Sequence, residues 1–94
     1  MIQSYKDQRV KLLYEGEEIR LWSPIRRQAE KRLRILDAAD RPETLMLLPS
    51  NHFEALRGKR SGQYSIRIND KWRICFTWPP ESEGPHDVEI VDYH

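Results

Sequence analysis

The sequence predicts a small α+β domain, with two helices packed on one face of a mostly antiparallel sheet. Two observations carry that expectation. Apolar residues recur at helical spacing through residues 24–40, and from Gly62 onward the apolar period drops to two. The expected order is strand, helix, helix and then three consecutive strands: one N-terminal strand plus a three-strand meander.

Each element has its own signal. Met1–Tyr5 is read as the first strand. Val10, Leu12, Leu13 and Tyr14 suggest a short helix that stops near Gly16. Ser23 suits an N-cap and Pro24 a first helical position, and Ile25, Ala29, Leu33, Leu36 and Ala39 then mark one stripe. Pro42 ends this helix, expected over 24–40, whose other face carries Arg26, Arg27, Lys31 and Arg34. Residues 41–61 are expected to be irregular, broken by Pro42, Pro49 and Gly58. Tyr64, Ile66 and Ile68 alternate with polar residues, as do Trp72, Ile74, Phe76 and Trp78, which gives two half-buried strands joined at Asn69-Asp70-Lys71. "PPESEGPHD" is a second turn region, and residues 87–93 form the last strand.

Length and charge narrow the function. A chain of 94 residues is one domain, near the lower limit for burying a core unaided. The net charge of +1 hides a segregated distribution. Residues 57–73 hold six Lys or Arg against one acid, and residues 20–34 another six against Glu30. Residues 81–92 hold five acids and no Lys or Arg. A basic patch beside an acidic segment points to a polyanionic ligand. The single cysteine, Cys75, cannot form an internal disulfide and fits a reducing compartment. Charged residues interrupt the first apolar stretch, unlike a signal peptide, and no apolar run approaches membrane-spanning length. These features suit a soluble cytoplasmic domain.

The register of the central hairpin can be argued. A two-residue turn would pair Ile66 with Arg73 and mix core with charge on one face. A three-residue loop at 69–71 pairs Ile68 with Trp72, Ile66 with Ile74 and Tyr64 with Phe76, leaving one face wholly apolar. That register places Arg67 directly across from Arg73. Like charges so placed repel. One reading is that both side chains splay into water along their apolar stems. The other is that an anion sits between them, since guanidinium groups match phosphate with a planar, permanently charged fork. Arg57, Lys59 and Arg60, with Lys71 in the turn, would extend such a site. At the other end of the chain, "VDYH" gathers Asp92, Tyr93 and His94, three side chains able to move protons.

"LRGKRSGQYSIRINDKWRICFTW" together with the final "VEIVDYH" resembles the HigB-type toxins of bacterial toxin–antitoxin modules, within the RelE/ParE superfamily. The stretch G-x-R-x-G-x-x-S-I-R-I-N-x-x-W-R and the terminal "DYH" are its most specific parts, and "MIQSYKD" with the Ser-Pro helix extends the likeness over nearly the whole chain. The resemblance implies a RelE-like fold with a curved antiparallel sheet. It implies an endoribonuclease that cuts messenger RNA in the ribosomal A site and so blocks translation. The implied partner is a HigA-type helix-turn-helix antitoxin, through which alone the toxin would meet operator DNA. Carried over by position, Asp92, Tyr93 and His94 match the family's functional ending, Arg73 a basic residue of the active groove, and Arg57 a position that carries Lys or Arg. Where some members have a histidine three residues before that position, this chain has Glu54. His52 stands two residues away.

RNA can be cut without a metal or cofactor because its own 2′-OH is a nucleophile. The protein must supply a base, an acid and cations for the charged intermediate. The expected assignment gives Arg73 and Arg67 to the phosphorane-like charge. Glu54 or Asp92 is the base, Tyr93 binds the phosphate or stacks on a nucleobase, and His94 is the acid. Arg57, Lys59, Arg60 and Lys71 bind RNA. No metal-ligand spacing stands out. Trp72, Phe76 and Trp78 are read as core and Cys75 as a small buried filler. Two other readings fit the same sequence: a non-enzymatic, gyrase-inhibiting ParE-like toxin, and a plain RNA-binding module.

Overall fold

A computed structural model describes residues 1–92. The α+β class is as expected. A four-stranded antiparallel sheet runs in the order β1 (Glu54–Ala55), β2 (Gln63–Arg67), β3 (Trp72–Thr77), β4 (His86–Asp92). Helices α1 (Gln8–Tyr14), α2 (Arg26–Ala38) and the short α3 (Pro42–Met46) accompany it. No helix among the described residues is long and apolar enough to cross a membrane.

Helix α1 is fixed at both ends by its own sequence. The Asp7 side chain caps the start by accepting from the Arg9 backbone N–H at 3.0 Å. At the other end Gly16 takes φ 102°, and the N–H groups of Gly16 and Glu17 return to the carbonyls of Leu13 and Leu12. That is a Schellman closure, and only glycine enters it without a steric penalty.

Helix α2 starts later than expected. Ser23 and Pro24 do not open it. They lie in a 3-10 turn, Arg20–Ile25, that feeds α2 at Arg26, and the helix ends at Ala38. The tighter three-residue repeat brings Trp22 and Ile25 to the same side, and both are buried. The apolar stripe is as read: Ile25, Ala29, Leu33, Leu36 and Ala39 are all buried. They meet Ile66, Ile74, Phe76, Val88 and Ile90 from the sheet in one core. Truncating Leu33 or Leu36 to alanine in such a setting costs about 2–5 kcal/mol.

The central hairpin has the register argued above. Ile66 pairs with Ile74, Tyr64 with Phe76 and Arg67 with Arg73. The Asn69 side chain sets the loop by accepting from the backbone N–H groups of Lys71 and Trp72, both at 2.8 Å. Cys75 is fully buried, and burial pushes its thiol up to about 11.

Two further expectations are corrected. Met1–Tyr5 is not a strand. It runs parallel to β4 and joins it by a single bridge, Tyr5 to Val88. The ladder cannot extend, because β4 bulges between its pairings with Cys75 and Thr77, where Asp87 takes φ 54°. The bridge consists of Val88 N–H to the Ser4 carbonyl and Lys6 N–H to the Val88 carbonyl, and the segment is anchored besides by Gln3 N–H to the Pro85 carbonyl and Ile2 N–H to Asp37 Oδ1. Its backbone also presses on Gly84, where an added Cβ would lie 1.8 Å from the Met1 carbonyl oxygen. Second, residues 41–61 are not irregular: they supply α3, two 3-10 turns and β1. Pro42 begins a helix here rather than only ending one, because its fixed φ suits a first helical turn.

Candidate functional site

The sheet has two unlike faces. One packs on the helices through Tyr64, Ile66, Ile74 and Phe76. The other carries Ser65, Arg67, Arg73 and Cys75, with Glu54 paired to Ser65 and Glu89 to Cys75. Since directly paired residues share a face, Glu54, Arg67 and Arg73 lie on the same side.

Arg73 is held at two points. Its Nε donates to the hydroxyl of buried Ser65 at 2.8 Å, and its Nη2 donates to the His52 carbonyl at 2.5 Å. A guanidinium has five N–H donors, so most remain for a ligand. Arg67 pairs with the Asp70 carboxylate in the loop. Its Nη1 also lies 3.4 Å from the His52 ring Nε2. Asp70 is 97% exposed while the Arg67 side chain is 32% exposed, so the carboxylate end of the pair is solvated and the contact is weak.

Two residues outside the sequence assignment complete the cluster. His52 closes a 3-10 turn, Pro49–Asn51, in the left-handed region at φ 44°. Arg32 reaches that turn from α2, donating to Asn51 Oδ1 at 2.8 Å and Ser50 Oγ at 3.3 Å. Burial, and then the nearby Arg67 charge, pull the Arg32 guanidinium below its usual range. A sequence signal for Arg32 existed. Ile25, Ala29, Arg32, Leu36 and Ala39 are spaced four, three, four and three apart, so this arginine falls on the apolar stripe and needs a partner there.

The other expected residues divide. Arg57 and Lys59 are exposed, just before and within the 3-10 turn Gly58–Arg60. Arg60 is tied down, donating to Gln63 at 3.0 Å and lying 3.2 Å from Glu89, which Lys6 also approaches. Lys71 stacks over the Trp72 ring at 5.4 Å and lies 3.8 Å from Asp92. Asp92 pairs with Trp72, so strand alternation sets it on the side away from Arg73. Tyr93 and His94 lie outside the described residues.

The face therefore combines fixed cations, a carboxylate and a histidine, the groups needed to hold a phosphate and move a proton beside it. Residues 3–94 match the family model described as RelE-like toxin of type II toxin–antitoxin system HigB. The chain is also 35% identical over 80 residues to Toxin HigB-1 of Vibrio cholerae serotype O1, covering 83% of this chain and 84% of that protein.

Proposed function

This chain belongs to the HigB-like family of RelE-like toxins of type II toxin–antitoxin systems, and on that premise we propose that it is a ribosome-dependent endoribonuclease that cuts messenger RNA in the A site. As a toxin of such a module it has an antitoxin partner. The observation that carries the proposal is the pair Arg67–Arg73, opposed across β2 and β3 and partly exposed on the sheet face away from the helices. Placement with RelE-like toxins favours RNA as the target over gyrase.

The reaction needs little more than positioning. The 2′-OH attacks the adjacent phosphorus, the bond to the 5′-oxygen breaks, and a 2′,3′-cyclic phosphate and a 5′-hydroxyl result. Arg73, braced by Ser65 and His52, stabilises the charge that builds on the phosphate oxygens. Arg67 assists from the opposite strand. Glu54 suits the base better than Asp92, because it shares the Arg73 face while Asp92 pairs on the Trp72 side. His94 supplies the proton to the leaving oxygen, and Tyr93 binds the phosphate or stacks on a base. Arg57 and Lys59 take further phosphates. A helix-turn-helix antitoxin reads the operator; the toxin reaches DNA only through it.

Incubating the purified toxin with a messenger RNA, free and on programmed ribosomes, tests the reading. Cleavage confined to the ribosome-bound message is expected. Equal cleavage of free message, or none in either sample, contradicts it.

A further inference from the structure

His52 serves both members of the arginine pair at once. Its carbonyl oxygen accepts from Arg73 Nη2 at 2.5 Å, and its ring Nε2 lies 3.4 Å from Arg67 Nη1. Both contacts depend on the left-handed backbone at φ 44°, which turns the chain sharply after Pro49–Asn51. Histidine is among the few non-glycine side chains enriched there. The turn is also secured from behind. Buried Asn51 donates its amide to the Leu45 carbonyl at 3.0 Å and accepts from Arg32 at 2.8 Å.

We propose that His52 is the positioning residue of the arginine pair: its backbone holds Arg73, and its neutral ring holds Arg67. Two guanidinium groups facing each other across a ladder repel, and acceptors of one residue outside the ladder that reach both offset that cost. The neutral ring has one acceptor nitrogen, and the contact needs the tautomer with the proton on Nδ1. Once protonated, the ring carries donors only and repels Arg67. Asp70 on the hairpin loop then remains as the Arg67 partner. Of the charged groups nearby, Arg67 from β2 meets the ring and Arg73 from β3 the His52 carbonyl; Arg32 from α2 binds the adjoining Asn51, Asp70 is the ion-pair partner of Arg67, and Glu54 follows two residues along the chain. That Arg67 and Arg73 are arranged for a bridging RNA phosphate rests on the function proposed above; the contact itself does not.

Two measurements on the full chain test this separately. By NMR, the Arg67 side-chain resonance, assigned through Arg67→Lys, should move with the same pH midpoint as the His52 ring, and Arg73 should not. An Arg67 resonance blind to His52 titration overturns the proposal. In the ribosome assay, His52→Gly keeps the left-handed turn and removes only the ring. It should slow cleavage by about ten- to a hundred-fold, the scale of a misplaced catalytic group. His52→Gln retains an acceptor without titrating, and should restore most of the rate while removing only the part of its pH dependence that follows the His52 ring, the limbs set by the catalytic acid and base remaining. Parental rates in His52→Gly also overturn the proposal. A parent that cuts no RNA removes the proposed function, and the NMR result then decides the positioning role alone.

Discussion

Arg67 and Arg73 face each other across the β2–β3 ladder, yet each is held by different partners: Asp70 and the His52 ring for one, Ser65 and the His52 carbonyl for the other. The repulsion expected between them is therefore not free to act. It is offset by directed hydrogen bonds, which keep two permanent charges on the same patch of sheet.

Arg73→Ala should abolish cleavage and also lower stability by about 1–2 kcal/mol, because the buried Ser65 hydroxyl loses its partner. From repulsion alone the opposite sign would follow. Thermal melting distinguishes the two: an unchanged or raised midpoint would mean that the Ser65 bond contributes nothing.

The salt dependence of RNA binding should separate the basic residues that look alike in sequence. Arg57 and Lys59 are exposed, whereas Arg60 is committed to Glu89 and Gln63. Replacing Arg57 and Lys59 with alanine should flatten the log–log salt slope by about 1.4, two single-strand phosphate contacts. Arg60→Ala should alter the slope less. If it flattens the slope by about 0.7, one full single-strand contact, the ion pair opens on binding.

Asp7 gives a pH test of the fold. Its hydrogen bond from the Arg9 side chain holds the carboxyl below the ordinary 3.8. A folded-state value below the unfolded one means stability present above the unfolded value and lost as pH falls through the folded one. Asp7→Ala should thus cost about 1 kcal/mol near neutrality, as lost caps do. The gap between parent and variant should close below the unfolded value. A gap that persists undiminished in acid would assign the loss to packing instead.

Removing His94 should cost about 10²–10⁴-fold in cleavage rate, the usual worth of a general acid. His94→Gln should match the deletion, since glutamine hydrogen-bonds but transfers no proton. Tyr93→Phe should be mild if the ring stacks and severe if the hydroxyl binds phosphate. Single-turnover cleavage rates read all three variants, and parental rates without His94 would remove it from the reaction.

How far the sequence could be read follows from which interactions decide each element. The hairpin register was legible because one slip would have moved every apolar residue off the core. That parity alone set Arg67 opposite Arg73. The stripe of α2 was legible for the same reason. The errors fall where few residues decide. Strand β1 has two residues, too few to show a period. Met1–Tyr5 has strand-like composition, but the bulge in β4 denies it a continuous partner. The site was half legible. Arg67 and Arg73 came from register, whereas His52 reaches them through a left-handed turn that no periodicity signals, although "PSNH" contains residues suited to one. Arg32 was legible from its place on the apolar stripe of α2, but periodicity alone does not say that its partner is the turn before His52.

Mapping transcript 5′ ends after induced expression of the parent and of Arg73→Ala shows whether this toxin arrests cells by cutting messages through its arginine pair. New 5′ ends inside translated reading frames are expected in the parent, accompanied by blocked protein synthesis, and none in the variant at equal protein level. Intact transcripts beside DNA damage in the parent, or the same new ends in Arg73→Ala, would contradict it.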